Sequence, residues 1–310
     1  MMPIELSMGI PSFAAQQPAS WDHLIEWAQL LEHCGFDRVL VSEHIVFGTN
    51  LEAYADPKVG GTAGGSQPTG PDGHWLEPLT TLTYLAAKTQ RIRLATNILL
   101  AALRPAAVLA KILATMDVLS GGRIDVGVGV GWQREEYEAV GVDFARRGAI
   151  LDQTLELCQR LWRETEVSYR TAGLTFDRVH QMPKPVQPGG VPIWVSGTVN
   201  QAVARRLSRF GTGWIPWGHD AKDAGAGIAR MRAAVERVGG DPSGLRFAGA
   251  LRVKADSEGR LDRATVAASA TSLAAAGVTD MRVTAWPLPA PNRERDIRAL
   301  VETVRGVVGG

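Results

Sequence analysis

Hydrophobic residues along the chain follow two spacings in turn. Short runs rich in β-branched residues, typical of buried strands, alternate with longer segments in which apolar residues recur about every 3.6 positions, as in helices. The predicted strands are 4–10, 38–41, 92–99, 124–130, 191–195, 213–216, 245–253 and 280–285. The predicted helices are 20–34, 77–90, 105–119, 149–163, 199–209, 225–238, 262–275 and 293–304.

Several helix boundaries carry recognisable end signals. Ser20 is predicted to cap the first helix, because a serine side chain satisfies free backbone amides at a helix start. Gly35 is predicted to end that helix, since glycine readily adopts the left-handed conformation found there. Pro105 suits the first turn of the third helix, and Gly121 would follow its last turn.

Eight strand–helix units in 310 residues predict an α/β protein that forms a closed (β/α)8 barrel. The strands are almost continuously apolar, which indicates a parallel sheet covered on both faces. A doubly wound open sheet is the alternative, but eight regular units fit the barrel better. We therefore expect a single barrel domain over residues 1–310.

Two segments interrupt the alternation. Residues 48–76 are rich in glycine and proline and follow the second strand. They are expected to form either a mobile lid over the functional face or a disordered insertion. Residues 166–190 form a second insertion, in which 167–169 and 174–176 predict a small hairpin around Ala172-Gly173.

Charge and cysteine content exclude several classes of function. The chain has 33 lysines and arginines against 32 aspartates and glutamates, so its net charge of +1 does not favour nucleic acid or an anionic membrane. Cys34 and Cys158 are too few for a disulfide framework and favour a reducing compartment. The first basic residue is Arg38, and the longest apolar run, 94–103, is too short to span a membrane. We therefore expect a cytoplasmic protein without a secretory signal.

Polar residues with chemical potential collect at the carboxyl ends of the predicted strands, where barrel active sites are built. His44 follows the second strand with Glu43 beside it, and an imidazole there could move a proton or orient a cofactor. The alternative is a histidine that only holds its loop by a local hydrogen bond. Glu135 and Glu136 follow the fourth strand and would supply an acid or favour the start of a helix.

Aromatic residues surround the same predicted rim. Four of the nine tryptophans lie at or near strand ends: Trp132, Trp214, Trp217 and Trp286. Aromatic walls at a barrel mouth suit a planar cofactor or an apolar substrate. Core packing is the alternative for Trp214, which falls within its strand.

Glycine-containing turns at this rim indicate a binding site for an anion or a flat ligand. Ser196-Gly197-Thr198 precedes a helix and would cradle a phosphate, although a capped strand–helix turn has the same composition. Gly129 and Gly131 lack the dinucleotide spacing and would let a flat ligand lie against the strand backbone. Hydrolase and phosphate-loop motifs are absent, and no local cluster has metal-ligand spacing, so no metal site is expected.

At these residues the sequence resembles the luciferase-like monooxygenase superfamily, in particular its oxidoreductases that use the deazaflavin coenzyme F420. Four segments carry the resemblance: 35–44, 91–97, 109–132 and 191–214. The stretch 119–123, Leu-Ser-Gly-Gly-Arg, runs into the glycines before Trp132 and is specific for the superfamily. It is much less specific for the flavin that is bound.

The resemblance implies a (β/α)8 barrel with a cis peptide bond between Asn97 and Ile98, whose bulge supports the cofactor ring. His44 matches a histidine beside the reactive centre of that ring, and the turn 196–198 matches the region of the phosphate tail. The residues expected to bind cofactor are Glu43, Asn97, Ile98, Gly129, Gly131, Trp132, Ser196, Gly197 and Thr198. Those expected to line the substrate pocket are Trp217 and Trp286.

Two positions depart from the sugar-phosphate dehydrogenases of this family. Glu43 stands where those enzymes often have aspartate, which is a mild change. Trp132 stands where they have an acidic catalytic residue, so their acid–base pair is not reproduced. The expected substrate therefore shifts from a sugar phosphate toward an apolar or aromatic molecule.

Together these features predict an enzyme that transfers a hydride between F420 and a small organic substrate, with His44 as the catalytic residue. One alternative keeps the fold but binds FMN, with oxygen as co-substrate and reduced flavin supplied by a separate reductase. Another is a non-redox barrel that binds a small molecule or acts as a lyase. A homodimer is expected because dimers are common in the family, and neither nucleic acid nor a membrane is expected as a partner.

Overall fold

The computed structural model describes residues 3–171, 173–288 and 290–309, and in them the predicted (β/α)8 barrel is confirmed. The strands are β1 (Glu5–Gly9), β2 (Phe13–Ala14), β3 (Arg38–Val41), β4 (His74–Trp75), β5 (Arg93–Leu99), β6 (Ile124–Val128), β7 (Val167–Arg170), β8 (Thr175–Val179), β9 (Ile193–Gly197), β10 (Gly213–Pro216), β11 (Arg246–Ala250) and β12 (Asp280–Val283). The α-helices are α1 (His23–Cys34), α2 (Pro78–Ala86), α3 (Ala106–Ser120), α4 (Arg134–Ala139), α5 (Arg147–Arg163), α6 (Gln201–Phe210), α7 (Ala224–Arg237), α8 (Arg263–Ala275) and α9 (Arg293–Val308).

Eight of these strands close into a parallel barrel in the order β1, β3, β5, β6, β9, β10, β11 and β12, and β12 pairs back with β1. Every residue of β3, β6 and β12 is buried, because helices cover the outer face and side chains fill the inner one. All eight carboxyl ends therefore meet at one end of the barrel, as the fold requires.

Three barrel strands end two or three residues earlier than their apolar pattern predicts. The ladder stops at Val128, Ala250 and Val283, rather than at residues 130, 253 and 285. Past Val128 the chain stays apolar, and Val130 there is half-buried and lines a cavity. The hydrophobic pattern thus records the wall of a pocket as well as burial in a sheet.

The start of α1 differs from the expectation. Asp22 takes the N-cap position, and the hydroxyl of Ser20 accepts a hydrogen bond from the Asp22 amide at 3.3 Å. The prediction that Ser20 caps the helix is therefore wrong, because Ser20 belongs to the turn before it. Gly35 and Gly121 have φ of +92° and +67° and follow α1 and α3, as predicted.

Short elements at the mouth of the barrel escape the sequence pattern. β2 and β4 pair antiparallel over two residues each, and Phe13 stacks on Trp75 with centroids 4.2 Å apart. α4 has only six residues, too few to show a helical period. β7 and β8 form the predicted hairpin, while Ala172 lies outside the described residues. No helix in the described ranges has the length and apolar character needed to cross a membrane.

Candidate functional site

A cavity of about 930 Å³ opens at the carboxyl ends of the barrel strands. It is lined by strand-end residues and by part of segment 48–76. All twelve residues suggested by the sequence lie on its wall: Glu43, His44, Asn97, Ile98, Gly129, Gly131, Trp132, Ser196, Gly197, Thr198, Trp217 and Trp286. The fold therefore brings together residues that are as much as 243 positions apart in the chain.

His44 lies just after β3, and only 11% of its side chain is exposed. Its ring packs against Phe47 and Trp75, with centroid distances of 4.4 and 4.7 Å. Its Nε2 atom lies 3.3 Å from the side-chain nitrogen of Gln67. Its Nδ1 atom lies 3.3 Å from Oε1 of Glu136, but the two are out of line for a hydrogen bond.

Glu136, on α4, is completely buried beside this histidine. Its Oε1 accepts a hydrogen bond from the amide of Ile45 at 2.8 Å, which fixes the loop that carries His44. Its Oε2 has no hydrogen-bond partner in the described part of the chain. A carboxylate in this position favours a proton on the facing Nδ1 atom, which leaves Nε2 as an acceptor. The amide of Gln67 can donate to that Nε2 atom.

Glu43 is buried, and both of its carboxylate oxygens are engaged within the protein. The amide of Leu100 donates to it at 2.5 Å, and Arg104 forms an ion pair with it. Burial raises the pKa of Glu43, and the neighbouring guanidinium of Arg104 opposes that rise. These contacts hold the loops after β3 and β5 together, and binding of a cofactor by Glu43 stays a prediction.

The peptide bond between Asn97 and Ile98 is cis, as the family resemblance implies. It lies in β5, where the pairing with β6 is irregular. The side-chain oxygen of Asn97 accepts a hydrogen bond from Nη1 of Arg282 at 2.9 Å. Its carbonyl oxygen accepts a hydrogen bond from the hydroxyl of Ser42 at 3.3 Å. Contacts from two other strand ends therefore position this bond at the cavity.

Two glycines after β6 make room for neighbouring side chains. A Cβ atom on Gly129 would lie 2.8 Å from Cδ1 of Ile98, and one on Gly131 would lie 2.7 Å from Cδ2 of Leu100. Gly131 also has a φ of +64°, which glycine adopts without strain. Packing accounts for both glycines, and contact of a flat ligand with this backbone stays a prediction.

The predicted phosphate turn, 196–198, consists of the last two residues of β9 and the residue after them, shortly before α6 begins at Gln201. The amide of Val199 donates to Asp220 at 2.7 Å and that of Val203 donates to Asn200 at 3.0 Å, so two nearby amides already have partners. Gly197 has a φ of +149°, and a Cβ atom there would lie 2.9 Å from Cγ2 of Val203. A glycine at this position is therefore required by the protein itself, whatever the turn binds.

Aromatic residues join segment 48–76 to the opposite side of the mouth. Tyr54 lies between Trp132 and Trp217, with ring centroids 5.5 and 6.2 Å away. The indole nitrogen of Trp217 donates to the carbonyl of Gly60 at 3.0 Å. Segment 48–76 thus lies across part of the cavity opening. Trp214 is fully buried within β10, as expected for a core residue.

Tyr54, Gln67 and Arg282 line the cavity but were not singled out by sequence pattern. Arg282 does carry a signal, because it lies with Asp280 in a strand that is otherwise apolar. Glu136 was considered as an acid or a helix-start residue, and its contact with His44 could not be inferred from spacing. Within the described ranges, no three or more histidine, cysteine, aspartate or glutamate side chains are grouped as a metal would require.

Comparison with known sequences identifies the family. The profile of the luciferase-like monooxygenases matches residues 5–272. An uncharacterized protein of Mycobacterium tuberculosis, Rv0953c, is 36% identical over 188 residues, which cover 61% of this chain and 65% of that protein. The matched region thus spans less than two thirds of the length of this curated relative.

Two solved structures with different cofactors share the fold over almost their whole length. An F420-dependent secondary alcohol dehydrogenase in complex with an F420-acetone adduct has a TM-score of 0.75 at 16% identity, covering 98% of this chain and 100% of that one. The oxygenating constituent of 3,6-diketocamphane monooxygenase from a Pseudomonas putida plasmid, in complex with FMN, has a TM-score of 0.74 at 14% identity and 98% coverage of both chains. At these identities the likeness concerns the fold. The profile match over residues 5–272 shows that the chain belongs to the luciferase-like monooxygenase family, whose members are oxidoreductases and monooxygenases.

Proposed function

We propose that the protein is an oxidoreductase that holds coenzyme F420 in the barrel-end cavity and transfers a hydride between it and a small apolar or aromatic substrate. The observation that carries this proposal is a convergence on one cavity of about 930 Å³. His44, Asn97, Ile98 and the turn 196–198 all reach it. A cavity of this size has room for a tricyclic ring and a small substrate.

The cavity wall fits a planar heterocycle with an anionic tail. Two of the residues that line it each carry a buried polar atom with no hydrogen-bond partner among the described residues, Nε1 of Trp286 and Oε1 of Gln67. Buried polar atoms are normally paired, so a ligand or water is the expected partner for both. The carbonyl and N–H groups of a heterocycle offer both an acceptor and a donor. The turn 196–198 precedes α6, where a phosphate is favoured by the helix dipole.

The proposal assigns a role to each of the main cavity residues. Bound F420 would supply the hydride chemistry at its C5 carbon. His44 holds or moves a proton at Nε2, and Glu136 orients the imidazole from the Nδ1 side. Ile98 supports the ring, and the turn 196–198 holds the phosphate.

The aromatic cover has two roles in this proposal. The hydrogen bond from Trp217 to Gly60 ties segment 48–76 across the opening, which supports a lid that excludes water during hydride transfer. Tyr54, Trp132 and Trp286 offer apolar ring faces to whatever lies beside the cofactor. Such walls favour an apolar or aromatic substrate over a sugar phosphate.

A second candidate keeps the site and changes the cofactor. FMN, delivered in reduced form by a separate reductase and reacting with oxygen, would make the protein a monooxygenase. The likeness to the FMN complex of 3,6-diketocamphane monooxygenase supports this candidate.

Titration of the purified protein with F420 and with FMN, followed by absorbance and fluorescence, separates the candidates. We expect saturable binding of F420 and weaker binding of FMN. Tight binding of FMN alone would favour the monooxygenase, and binding of neither would favour a non-redox binding barrel. Anaerobic turnover of candidate substrates with the cofactor that binds then tests hydride transfer.

The role of His44 has its own test. In His44→Ala we expect turnover to fall by roughly a hundredfold or more, because a positioned proton carrier is lost, while the melting temperature stays near that of the wild type. His33→Ala is the matched control, since that imidazole lies on the surface with 66% of its side chain exposed. Similar losses of turnover and stability in His44→Ala would make His44 a structural residue.

A further inference from the structure

A network of charged side chains fills the base of the barrel, next to the cavity. Its carboxylates belong to Glu5, Asp125 and Asp280, and its guanidinium groups to Arg38, Arg93, Arg246 and Arg282. Arg38 pairs with all three carboxylates at distances of 2.5 to 3.3 Å. Because four guanidinium groups face three carboxylates, the network carries one more positive charge than negative charge.

The members of this network differ in their access to water. The side chains of Arg93 and Arg246 are 27% and 24% exposed, and neither lines the cavity. Arg282 is 7% exposed, and it does line the cavity. Solvent screens the charges at the exposed end, whereas only 7% of the Arg282 side chain is exposed, so its charge is screened less.

Arg282 is held in place by its neighbours. Its Nε atom donates to Asp280 at 2.7 Å, and its Nη1 atom donates to the side chain of Asn97 at 2.9 Å. The charged groups that face it are Asp280 on its own strand, Arg38 on β3 and Asp125 on β6. Burial lowers the pKa of Arg282, and the facing carboxylates oppose this. An arginine guanidinium keeps its charge in proteins. Asp280 also pairs with Arg38 at 3.3 Å and therefore does not neutralise Arg282 alone.

The surroundings of Arg282 on the cavity side are apolar. Its guanidinium lies 5.1 Å from the centre of the Trp194 ring. Ile98, Ile215 and Ala248 pack on the same indole, and all three also line the cavity. A positive charge in such surroundings interacts strongly with an anion, because little water is present to weaken the attraction.

We propose that Arg282 forms an anion-binding subsite at the base of the cavity and stabilises negative charge on the ring of the bound cofactor. The inference rests on the proposed function, since it takes the ligand to be a planar heterocycle. The ligand class is a ring that carries delocalised negative charge, such as the ionised hydroxyl-bearing ring of oxidised F420 or the ring of reduced FMN. Ionisation releases a proton to water and leaves the anion paired with Arg282.

The test measures the pH at which the bound ring ionises, read from its absorbance. The probe is oxidised F420, or FMN reduced under anaerobic conditions, whichever the wild type binds. In Arg282→Met we expect the midpoint to rise by at least one pH unit, a tenfold loss of preference for the anion. Arg282→Lys retains the charge and should keep most of the wild-type behaviour.

Arg246→Met is the matched control, because it removes one positive charge from the same network without touching the cavity wall. We expect its midpoint to stay within a few tenths of a pH unit of the wild type. If Arg282→Met does not fold, Arg282→Gln, which can still donate to Asn97, should show the same shift.

The possible failures are distinct. Equal midpoints in the wild type and the uncharged Arg282 variants would overturn the anion subsite and leave the proposed function intact. An equal shift in Arg246→Met would overturn it as well, because the effect would then belong to the network and not to the cavity wall. Wild-type protein that binds neither cofactor would overturn both proposals.

Discussion

The two ends of the barrel differ in how their buried polar side chains are paired. At the base, the guanidinium of Arg38 has no exposed surface, and it donates to Asp125, Ser7 and Glu5 at 2.7, 3.1 and 2.5 Å. At the mouth, buried atoms of Gln67 and of other cavity residues have no hydrogen-bond partner within the described ranges. The charged groups around Arg38 are thus paired within the protein, although Nε1 of the neighbouring Trp194 has no hydrogen-bond partner in the described part of the chain, while several polar atoms of cavity residues at the mouth have none.

This difference predicts where substitutions should affect stability and where they should affect function. Losing one partner from a buried ion-pair network leaves the others uncompensated and is strongly destabilising. Removing a polar atom that has no partner costs little, since no hydrogen bond is lost. Substitutions at the base should therefore affect mainly the free energy of unfolding, and those at the mouth mainly binding and turnover.

The largest effect is expected at the centre of the base. Arg38→Met should lower the free energy of unfolding by about 3–5 kcal/mol, because three carboxylates lose their shared partner. Urea denaturation measures this change. Arg260→Met is the control, since it breaks only exposed ion pairs, with Asp256 and Glu258, and should cost less than about 1 kcal/mol. A loss in Arg38→Met no larger than in the control would contradict the contrast between the two ends.

Acid should weaken the base through Asp125. Burial raises the pKa of this carboxyl, but Arg38 and Arg93 outweigh burial and lower the pKa to about 2, from an ordinary value of 3.8. Because the folded-state pKa is the lower one, the stabilisation is complete above about pH 4 and is lost as the pH falls through 2. The loss amounts to roughly 2 kcal/mol.

This acid effect can be measured from the free energy of unfolding between pH 2 and pH 5. The wild type should lose stability more steeply over this interval than Asp125→Asn, whose amide does not titrate. Parallel curves for the two proteins would show that the carboxylate of Asp125 is not stabilised by its neighbours.

A smaller effect on stability is expected at the predicted phosphate turn, where a glycine is needed for packing and is also proposed to lie beside a ligand. Gly197→Ala should lower the free energy of unfolding by about 1–3 kcal/mol, because the new Cβ atom meets Val203 and the backbone angle is unfavourable for a side chain. Gly244→Ala is the control, since nothing lies within 4 Å of its Cβ position. An unchanged melting temperature in Gly197→Ala would mean that this glycine serves only a ligand.

The smallest effect on stability is expected at the mouth. Gln67→Ala removes an Oε1 atom that has no partner in the described structure and the hydrogen bond from the amide nitrogen to Nε2 of His44, which is worth about 1 kcal/mol, so the melting temperature should fall by only about 2–4 °C. The affinity for cofactor should fall as well, if Oε1 is completed by the ligand. A larger drop in melting temperature with unchanged affinity would assign Gln67 to the scaffold.

The barrel itself could be predicted from the chain, because each buried strand and each amphipathic helix has its own period. The elements β2, β4 and α4 were not predicted, because they are too short to show a hydrophobic period. Ser20 and the ends of β6, β11 and β12 show a second limit. The sequence does not distinguish a serine that caps a helix from one in the turn before it. It also does not distinguish an apolar residue in a strand from one that lines the cavity beyond the strand.

The candidate site was only partly predictable for related reasons. Trp286 and the turn 196–198 could be placed at the cavity, because parallel strands bring their carboxyl ends together. Glu136 lies on the short helix α4, and its contact with His44 depends on how two loops pack. Arg282 lies within a strand, where its link to Asn97 crosses the barrel interior and leaves no trace in local spacing.

The central claim, that the barrel-end cavity holds the cofactor ring, is tested most directly by a crystal structure of the protein saturated with the cofactor it binds in solution. The account predicts density for a planar ring in contact with Ile98 and near the guanidinium of Arg282, with the phosphate at Ser196–Thr198. An empty cavity, or a ring bound elsewhere on the surface, would contradict it.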